Sequence, residues 1–258
     1  MLPIYLNKLP DFLIIGAQKA GTTTLFDCLR QHPQISMPGV KEVHFFDLNY
    51  DKGVSWYKQF FRRKVSFGRR ISGEASPYYL FHPLVPERVS RHVPQVKLIV
   101  LLRNPVDRAY SHFRHEIKHN TENLSSFEEA IKQEAERVLP AEELLIAGKV
   151  QRSSDHQCYS YIGRGMYARQ VEHWLKYFLR SQMLFVKSED FFSNPKEELA
   201  AIYRFLEVRV VFPKNIIAQN TNSYSGLSKE LRRKTALLFE HDGKKLSSLI
   251  GDKFQWDA

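Results

Sequence analysis

The chain has 258 residues, 43% of them hydrophobic, which is enough for a single α/β domain with a substantial core across residues 1–258. Its two cysteines, Cys28 and Cys158, exclude a disulfide-rich scaffold. The longest apolar stretch, residues 12–17, is too short to span a bilayer, and the N-terminus lacks the pattern of a secretory signal. We therefore expect a cytoplasmic protein without a transmembrane segment.

The chain is basic, with 38 Lys and Arg residues against 28 Asp and Glu residues and a net charge of +10. A basic surface suits anionic partners such as a nucleotide, an acidic glycan, a nucleic acid or a membrane. The basic pairs and triples are scattered, and no nucleic-acid recognition motif accompanies them. We expect no nucleic-acid partner, and the composition leaves the oligomeric state open.

Predicted strands and helices alternate along the chain. Apolar runs predict strands at 12–15, 96–102 and 183–186. A further brief strand is predicted at 71–74, before the Ser76-Pro77 pair. Helical periodicity and capping residues predict helices at 22–31, 56–63, from 104 onwards, 125–138, 165–178, 195–206 and in the region after 226. This alternation favours a doubly wound, mainly parallel sheet flanked by helices, with right-handed crossovers.

A glycine-bounded loop follows the first predicted strand and leads into a helix that begins near Thr22. In such an arrangement the loop amides and the helix N-terminus converge on an anion. The nucleotide triphosphatase motif places its lysine directly after the second glycine, whereas here Thr22 follows Gly21 and the lysine stands earlier, at Lys19. The loop therefore predicts a site for a nucleotide that carries something other than a triphosphate.

Three predicted strands each end at a charged side chain: Lys19 follows the first, Glu74 the second and Arg103 the third. Ligands of open parallel sheets bind beyond the carboxyl ends of the strands. A lysine, a carboxylate and an arginine at one such edge predict an anion site with a base beside it. Ser111, about two turns into the helix after Arg103, is positioned to help the arginine hold a second phosphate.

The histidines at 112, 115 and 119 follow helical spacing and can imitate a metal-binding face. No cluster of carboxylates or cysteines completes such a site, so we expect no metal. Cys28 lies within a predicted helix beside Leu25 and Leu29, which favours core packing over a nucleophilic role.

Several segments together resemble a known family, the sulfotransferases that use 3′-phosphoadenosine 5′-phosphosulfate (PAPS), and in particular its heparan-sulfate type and bacterial relatives. The segments are FLIIGAQKAGTT (12–23), KEVHFFD (41–47), GEASPYY (73–79), LLRNPVDRAYSH (101–112) and GMYARQVEHW (165–174). The resemblance implies a P-loop-like α/β fold. It also implies an enzyme that moves the sulfuryl group of PAPS to an acceptor hydroxyl without a metal, releasing adenosine 3′,5′-bisphosphate (PAP).

The resemblance also implies roles for individual residues. Glu74 lies in the segment that bears the family's catalytic glutamate, and we expect it to accept the proton of the acceptor hydroxyl. Lys19 would stabilise the leaving phosphate, and Lys41 and His44 would support the reaction from the acceptor side. The expected donor-binding residues are Gln18, Lys19, Ala20, Gly21, Thr22, Thr23, Arg103, Ser111 and Tyr224.

Alternatives remain open on the acceptor and on the reaction class. Gln170 stands where N-sulfotransferases of the family place a helix histidine, which favours a hydroxyl acceptor over an amine. Family analogy does not choose between a small-molecule, a lipid and a saccharide acceptor. A P-loop small-molecule kinase would want a lysine after Gly21, and a non-catalytic polyanion- or glycan-binding module would not need Glu74.

Overall fold

A computed structural model of the protein describes residues 5–64, 70–216 and 226–256. Its strands are β1 (Tyr5–Asn7), β2 (Phe12–Gly16), β3 (Ile35–Ser36), β4 (Arg62–Lys64), β5 (Ile71–Ala75), β6 (Lys97–Leu102) and β7 (Met183–Lys187). Its helices are α1 (Thr22–Arg30), α2 (Gly53–Lys58), α3 (Val85–His92), α4 (Pro105–Lys118), α5 (Phe127–Ile146), α6 (Ser154–Cys158), α7 (Tyr167–Leu175), α8 (Ser188–Ser193), α9 (Pro195–Phe205) and α10 (Lys229–Ile250).

The central sheet has five strands in the order β3-β5-β2-β6-β7, and all the pairs within it are parallel. Strands β2 and β5 are buried throughout, and β6 is buried from Leu98 onwards. This explains why the strands appear in the sequence as continuous apolar runs and not as alternating ones. Strands β1 and β4 form a separate antiparallel ribbon.

The strand order shows that the sheet is doubly wound. From β2 the chain goes to β3 at the edge of the sheet and returns to β5 beside β2. It then crosses to β6 and β7 on the opposite side of β2. The segments that follow the neighbouring strands β2 and β6 therefore run in opposite directions. This creates a crevice at the carboxyl ends of the two strands. Lys19 follows β2 and Arg103 follows β6, so both lie at this crevice. The predicted α/β fold is confirmed, while a single domain across residues 1–258 stays a prediction.

Several predicted boundaries differ from those observed. Asn104 caps α4 as expected, since its side chain accepts hydrogen bonds from the amides of Val106 and Asp107. Helix α2 ends at Lys58 and strand β4 follows, where a helix to residue 63 was predicted. Helix α5 continues past Pro140 to Ile146, because Pro140 is exposed and water can satisfy the carbonyl that lacks an amide partner. Helix α6 forms between the predicted helices at 125–138 and 165–178, where no helix was predicted.

Candidate active site

Residues 17–21 form the loop between β2 and α1, which is called the phosphate loop below. Lys19 and Gly21 both have left-handed backbone angles, with φ of 69° and 96°. Glycine is needed at 21 because a Cβ there would lie 2.9 Å from the Phe192 ring and on a strained backbone. Turns of this kind point successive N–H groups into one concavity, which suits an anion. Thr22 begins α1 directly after the loop.

Arg103 closes the phosphate loop from the neighbouring strand. Its Nη1 donates a hydrogen bond to the carbonyl oxygen of Lys19 at 3.1 Å. The loop is tied to β6 a second time, because the amide of Ala17 donates to the carbonyl of Leu101 at 2.6 Å. Ser111 is buried on α4, two turns along the helix that follows Arg103. The predicted lysine and arginine thus meet at one edge of the sheet.

The Lys19 amine lies in a partly desolvated, cation-rich environment. Burial lowers the pKa of Lys19, the nearby charge of Glu116 raises it, and the charges of Arg103 and Arg108 lower it further. Arg108 is fully buried, and within the described residues its Nε and Nη1 have no hydrogen-bond partner. Lys19, Arg103 and Arg108 outnumber the one carboxylate, Glu116, that acts on Lys19, and this excess of positive charge favours a bound anion.

A second group of polar side chains lies on the loop at residues 41–47, called the 41–47 loop below. The His44 ring binds Asp47 through Nδ1 at 2.7 Å and Glu42 through Nε2 at 2.9 Å. Lys41 Nζ donates to the other carboxylate oxygen of Glu42 at 3.1 Å. The Asp47 side chain is fully buried, whereas that of Glu42 keeps 28% of its surface exposed. Glu42 is therefore the carboxylate of this loop that a ligand can reach.

The charges on this loop stabilise one another. Burial lowers the pKa of His44, but hydrogen bonds and charge from Asp47 and Glu42 outweigh burial and raise it to about 10. Burial likewise opposes the ionisation of Glu42, yet His44 and Lys41 outweigh it and lower the pKa of that carboxyl. At neutral pH the loop therefore presents an ionised carboxylate held by an imidazolium and an ammonium group.

Glu74 has a different position from the one expected. It does not follow a strand but lies inside β5, which continues to Ala75 and pairs Glu74 with Leu13 of β2. The side chain is 1% exposed and accepts hydrogen bonds from the hydroxyls of Tyr57 (2.8 Å), Tyr79 (2.7 Å) and Ser76 (2.7 Å). Burial raises the pKa of Glu74, and these three hydrogen bonds act in the opposite direction. This enclosure does not favour the predicted proton transfer with an acceptor.

Two of the three hydroxyl groups that bind Glu74 also hold the 41–47 loop. The Tyr79 hydroxyl accepts from the amides of Phe45 (2.8 Å) and Phe46 (3.3 Å). The Ser76 hydroxyl accepts from the amide of His44 at 3.1 Å. Each hydroxyl donates to Glu74 and accepts from the loop, so the buried carboxylate fixes the loop backbone through two intermediates.

The charged side chains of the phosphate loop and of the 41–47 loop lie within electrostatic reach of the same residues. His115, on α4, interacts electrostatically with both Lys19 and Glu42, and burial with the Lys19 charge lowers its pKa to about 4. Arg164 donates from Nη1 to Gln18 Oε1 at 2.8 Å and lies within electrostatic reach of Glu42. The sequence analysis missed both Glu42 and Arg164 as site residues. The spacing of an acid, a histidine and a second acid in KEVHFFD was the signal for Glu42.

One predicted site residue lies outside the residues that the structure describes. It is Tyr224, an expected donor-binding residue. Across residues 5–64, 70–216 and 226–256, no group of three or more metal-ligating side chains comes together. No helix in this part of the chain is long and apolar enough to cross a membrane.

Two solved structures with a similar fold are sulfotransferases. A sulfotransferase from Alicyclobacillus acidocaldarius has a TM-score of 0.75 at 29% identity, covering 95% of this chain and 97% of that chain. The sulfotransferase domain of the curacin biosynthetic pathway has a TM-score of 0.51 at 13% identity, with coverage of 95% and 99%. The second likeness concerns the fold alone.

Curated relatives are heparan sulfate sulfotransferases and a membrane-associated enzyme. Human heparan sulfate glucosamine 3-O-sulfotransferase 3B1 is 34% identical over 224 residues, covering 86% of this chain and 53% of that protein. The membrane-associated sulfotransferase kil1 of Dictyostelium discoideum is 24% identical over 313 residues, covering 96% of this chain and 66% of that protein. The expected cytoplasmic location is wrong, because the similarity extends to an enzyme described as membrane-associated.

Family membership follows from how much of this chain the sulfotransferase domain matches. The chain spans only between half and two thirds of the length of the curated relatives named above. The sulfotransferase domain, in contrast, matches residues 9–241 and so includes both the phosphate loop and the 41–47 loop. With this match over most of its length, the chain belongs to the sulfotransferase family.

Proposed function

We propose that this protein transfers the sulfuryl group of PAPS to a hydroxyl group of an acceptor, with Glu42 as the proton acceptor. The observation that carries the proposal is the pairing of a cationic phosphate loop with the ionised, ligand-accessible Glu42 of the neighbouring loop. In the transfer, the acceptor oxygen bonds to sulfur, and the bond from sulfur to the bridging phosphate oxygen breaks. The acceptor proton passes to Glu42, and PAP leaves.

The phosphate loop suits the donor end of this reaction. Backbone amides of the loop, the hydroxyls of Thr22 and Thr23 and the amine of Lys19 would hold the phosphosulfate and stabilise charge on the leaving oxygen. Arg103 and Ser111 would hold the 3′-phosphate, which distinguishes PAPS from ATP. Sulfuryl transfer, like phosphoryl transfer, depends mainly on in-line placement and charge stabilisation, which these groups supply.

The 41–47 loop suits the acceptor end. Asp47, His44 and Glu42 form a hydrogen-bonded series in which the first carboxylate is buried and the last one is accessible. His44 fixes one oxygen of Glu42 and Lys41 fixes the other, so the remaining lone pairs can accept from an acceptor hydroxyl. Glu74 would then act as a positioning residue, since it holds this loop through Tyr79 and Ser76 and has no exposed oxygen of its own.

We further propose that the acceptor is a saccharide. The relatives named as heparan sulfate glucosamine sulfotransferases support a sugar hydroxyl, and the 34% identity covers the segment that carries Glu42 and His44. Lys118 and His119, at the end of α4, lie within electrostatic reach of His115. These basic groups favour an acidic saccharide over a neutral lipid.

The proposal can be tested by calorimetric titration with PAP, Mg-ATP and 5′-AMP. We expect tight binding of PAP alone, and transfer of label from radiolabelled PAPS to an acidic oligosaccharide. Preference for Mg-ATP would support a kinase instead, although the position of Lys19 before Gly21 argues against one. Oligosaccharide binding without any effect of PAP would support a non-catalytic glycan-binding module.

A further inference from the structure

We infer that Arg164 is a positioning residue that sets the geometry of the phosphate loop through Gln18. This inference rests on the proposed sulfuryl transfer and adds a residue to it. Arg164 belongs to the segment 160–165, between α6 and α7, and lies outside the loops that carry Lys19 and Glu42. Its side chain reaches Gln18, the residue directly before the lysine, with a hydrogen bond of 2.8 Å.

The Arg164 guanidinium is buried and fully engaged in directional contacts. The residue is 3% exposed, and its Nε donates to Ser160 Oγ at 2.8 Å while Nη2 donates to the carbonyl of Gln157 at 2.7 Å. The guanidinium also packs on aromatic rings, with its central carbon 4.6 Å from the ring centre of Tyr78 and 5.4 Å from that of Phe81. Three hydrogen bonds and two rings leave the side chain a single orientation.

The charge of Arg164 has no direct carboxylate partner among the described residues, because its three acceptors are neutral oxygens. A buried cation of this kind is costly unless an anion comes near it. Glu116 and Glu42 act on Arg164 only through their charge, without a hydrogen bond. Because Gln18 belongs to the phosphate loop, a phosphosulfate bound there would bring further negative charge near Arg164. Arg164 therefore suits the donor-bound form of the site.

The segment that carries Arg164 is itself rigidly held. Glu134, on α5, accepts hydrogen bonds from the amides of Ile162 (2.6 Å) and Gly163 (2.7 Å). Arg108, on α4, donates from Nη2 to the carbonyl of Tyr161. Both side chains are buried, so two helices fix the backbone on which Arg164 stands. This anchoring lets Arg164 define where Gln18 lies, and not the reverse.

The arrangement has a specific consequence for catalysis. If Arg164 positions Gln18, its loss would shift the phosphate-loop amides relative to the acceptor while Lys19 and Arg103 still attract the donor. A displacement of about 1 Å can reduce turnover by about 100-fold. We therefore expect kcat to fall by about 10- to 100-fold in Arg164→Lys, and the dissociation constant of PAP to change by less than about threefold.

The experiment is a double-mutant cycle with Arg164→Lys, Gln18→Leu and both together. Calorimetry gives the number of PAP sites per chain and the PAP dissociation constant, and radiolabelled PAPS gives kcat per PAP-binding site. Arg169→Lys is the matched control, because the Arg169 side chain on α7 is 72% exposed and forms an ion pair with Glu142 at 3.0 Å, away from Gln18. Gln18→Leu keeps the test decisive if Arg164→Lys does not fold.

Coupled losses would support the inference: each single variant loses kcat, and the double variant loses no more than either one. Additive losses, or wild-type kcat per PAP site in Arg164→Lys or in Gln18→Leu, would overturn it. A purely structural role would lower the number of PAP sites and leave kcat per site unchanged, which also overturns it. A wild-type protein that neither binds PAP nor transfers label would overturn the proposed function as well, so the two failures are distinguishable.

Discussion

The sharpest prediction contrasts two carboxylates, Glu42 and Glu74, by replacing each with glutamine. In Glu42→Gln the amide can neither accept the acceptor proton nor bind both Lys41 and His44, because one of the two oxygens becomes an N–H donor. A positioned general base contributes about 10²- to 10⁴-fold, so we expect kcat to fall by that factor. The PAP dissociation constant should stay within about threefold of wild type, since Lys19 and Arg103 are untouched.

Glu74→Gln should mainly reduce stability. The amide nitrogen would face one of the three hydroxyls that donate to Glu74, so one buried hydrogen bond to a charged group is lost. Such a bond is worth about 1.5–3 kcal/mol of unfolding free energy. For a chain of this size that corresponds to a fall of roughly 3–12 °C in Tm. Turnover should fall less than in Glu42→Gln, because the 41–47 loop loosens but keeps its carboxylate.

Both variants are assayed with radiolabelled PAPS, calorimetric titration of PAP and thermal unfolding. Glu143→Gln, an exposed carboxylate on α5, is the matched control for the substitution itself. Our reasoning is refuted if Glu42→Gln keeps wild-type turnover while Glu74→Gln loses 10²-fold or more with unchanged Tm. That outcome would restore Glu74 as the base, as the sequence suggested.

Three further predictions concern the donor, the pH profile and the stability. Arg103→Ala should weaken PAP binding by about 10- to 100-fold, as expected for one hydrogen bond to a charged group, and unchanged calorimetric affinity would remove its 3′-phosphate role. His44→Gln removes a group that lowers the pKa of Glu42, so that pKa should rise. The acid limb of the pH profile of kcat should then move to higher pH, and a profile with the same acid limb as wild type would contradict this. Burial raises the pKa of Glu134 to about 7, so the contribution of this carboxyl to the unfolding free energy should fall by about 3 kcal/mol as pH rises from 4.5 to 7. Urea denaturation of Glu134→Gln should lack this fall, and an equal fall in both proteins would exclude Glu134 as its source.

The donor half of the site could be predicted from the sequence because regular structure places it. Aliphatic runs identified β2 and β6, and the residues that follow parallel strands must meet at one edge of the sheet. Lys19 and Arg103 therefore came together as expected, through the hydrogen bond from the guanidinium to the Lys19 carbonyl. Arg164 was not predictable in this way, since 146 residues separate it from Gln18 and only tertiary packing joins them.

The acceptor half was harder to predict because it depends on where one strand ends. If β5 ended at residue 74, Glu74 would lie at the open edge, but the strand continues for one more residue and buries the carboxylate. Side chains within a strand that is covered on both faces have no access to a ligand. The neighbouring loop has no such periodicity, so the sequence alone did not show which of its polar groups remained accessible.

The position of Glu74 inside the sheet explains how an irregular loop can hold catalytic groups in fixed places. A loop backbone without regular hydrogen bonds would leave Glu42 free to move, and proton transfer requires its oxygens within hydrogen-bond reach of the acceptor. Here the amides of His44, Phe45 and Phe46 bind hydroxyls that are themselves bound to Glu74. Because Glu74 belongs to β5, which pairs with β2, the loop takes its position from the same sheet that carries the phosphate loop. Tyr79→Phe, which breaks this connection and leaves both carboxylates in place, should therefore lower kcat without changing PAP affinity.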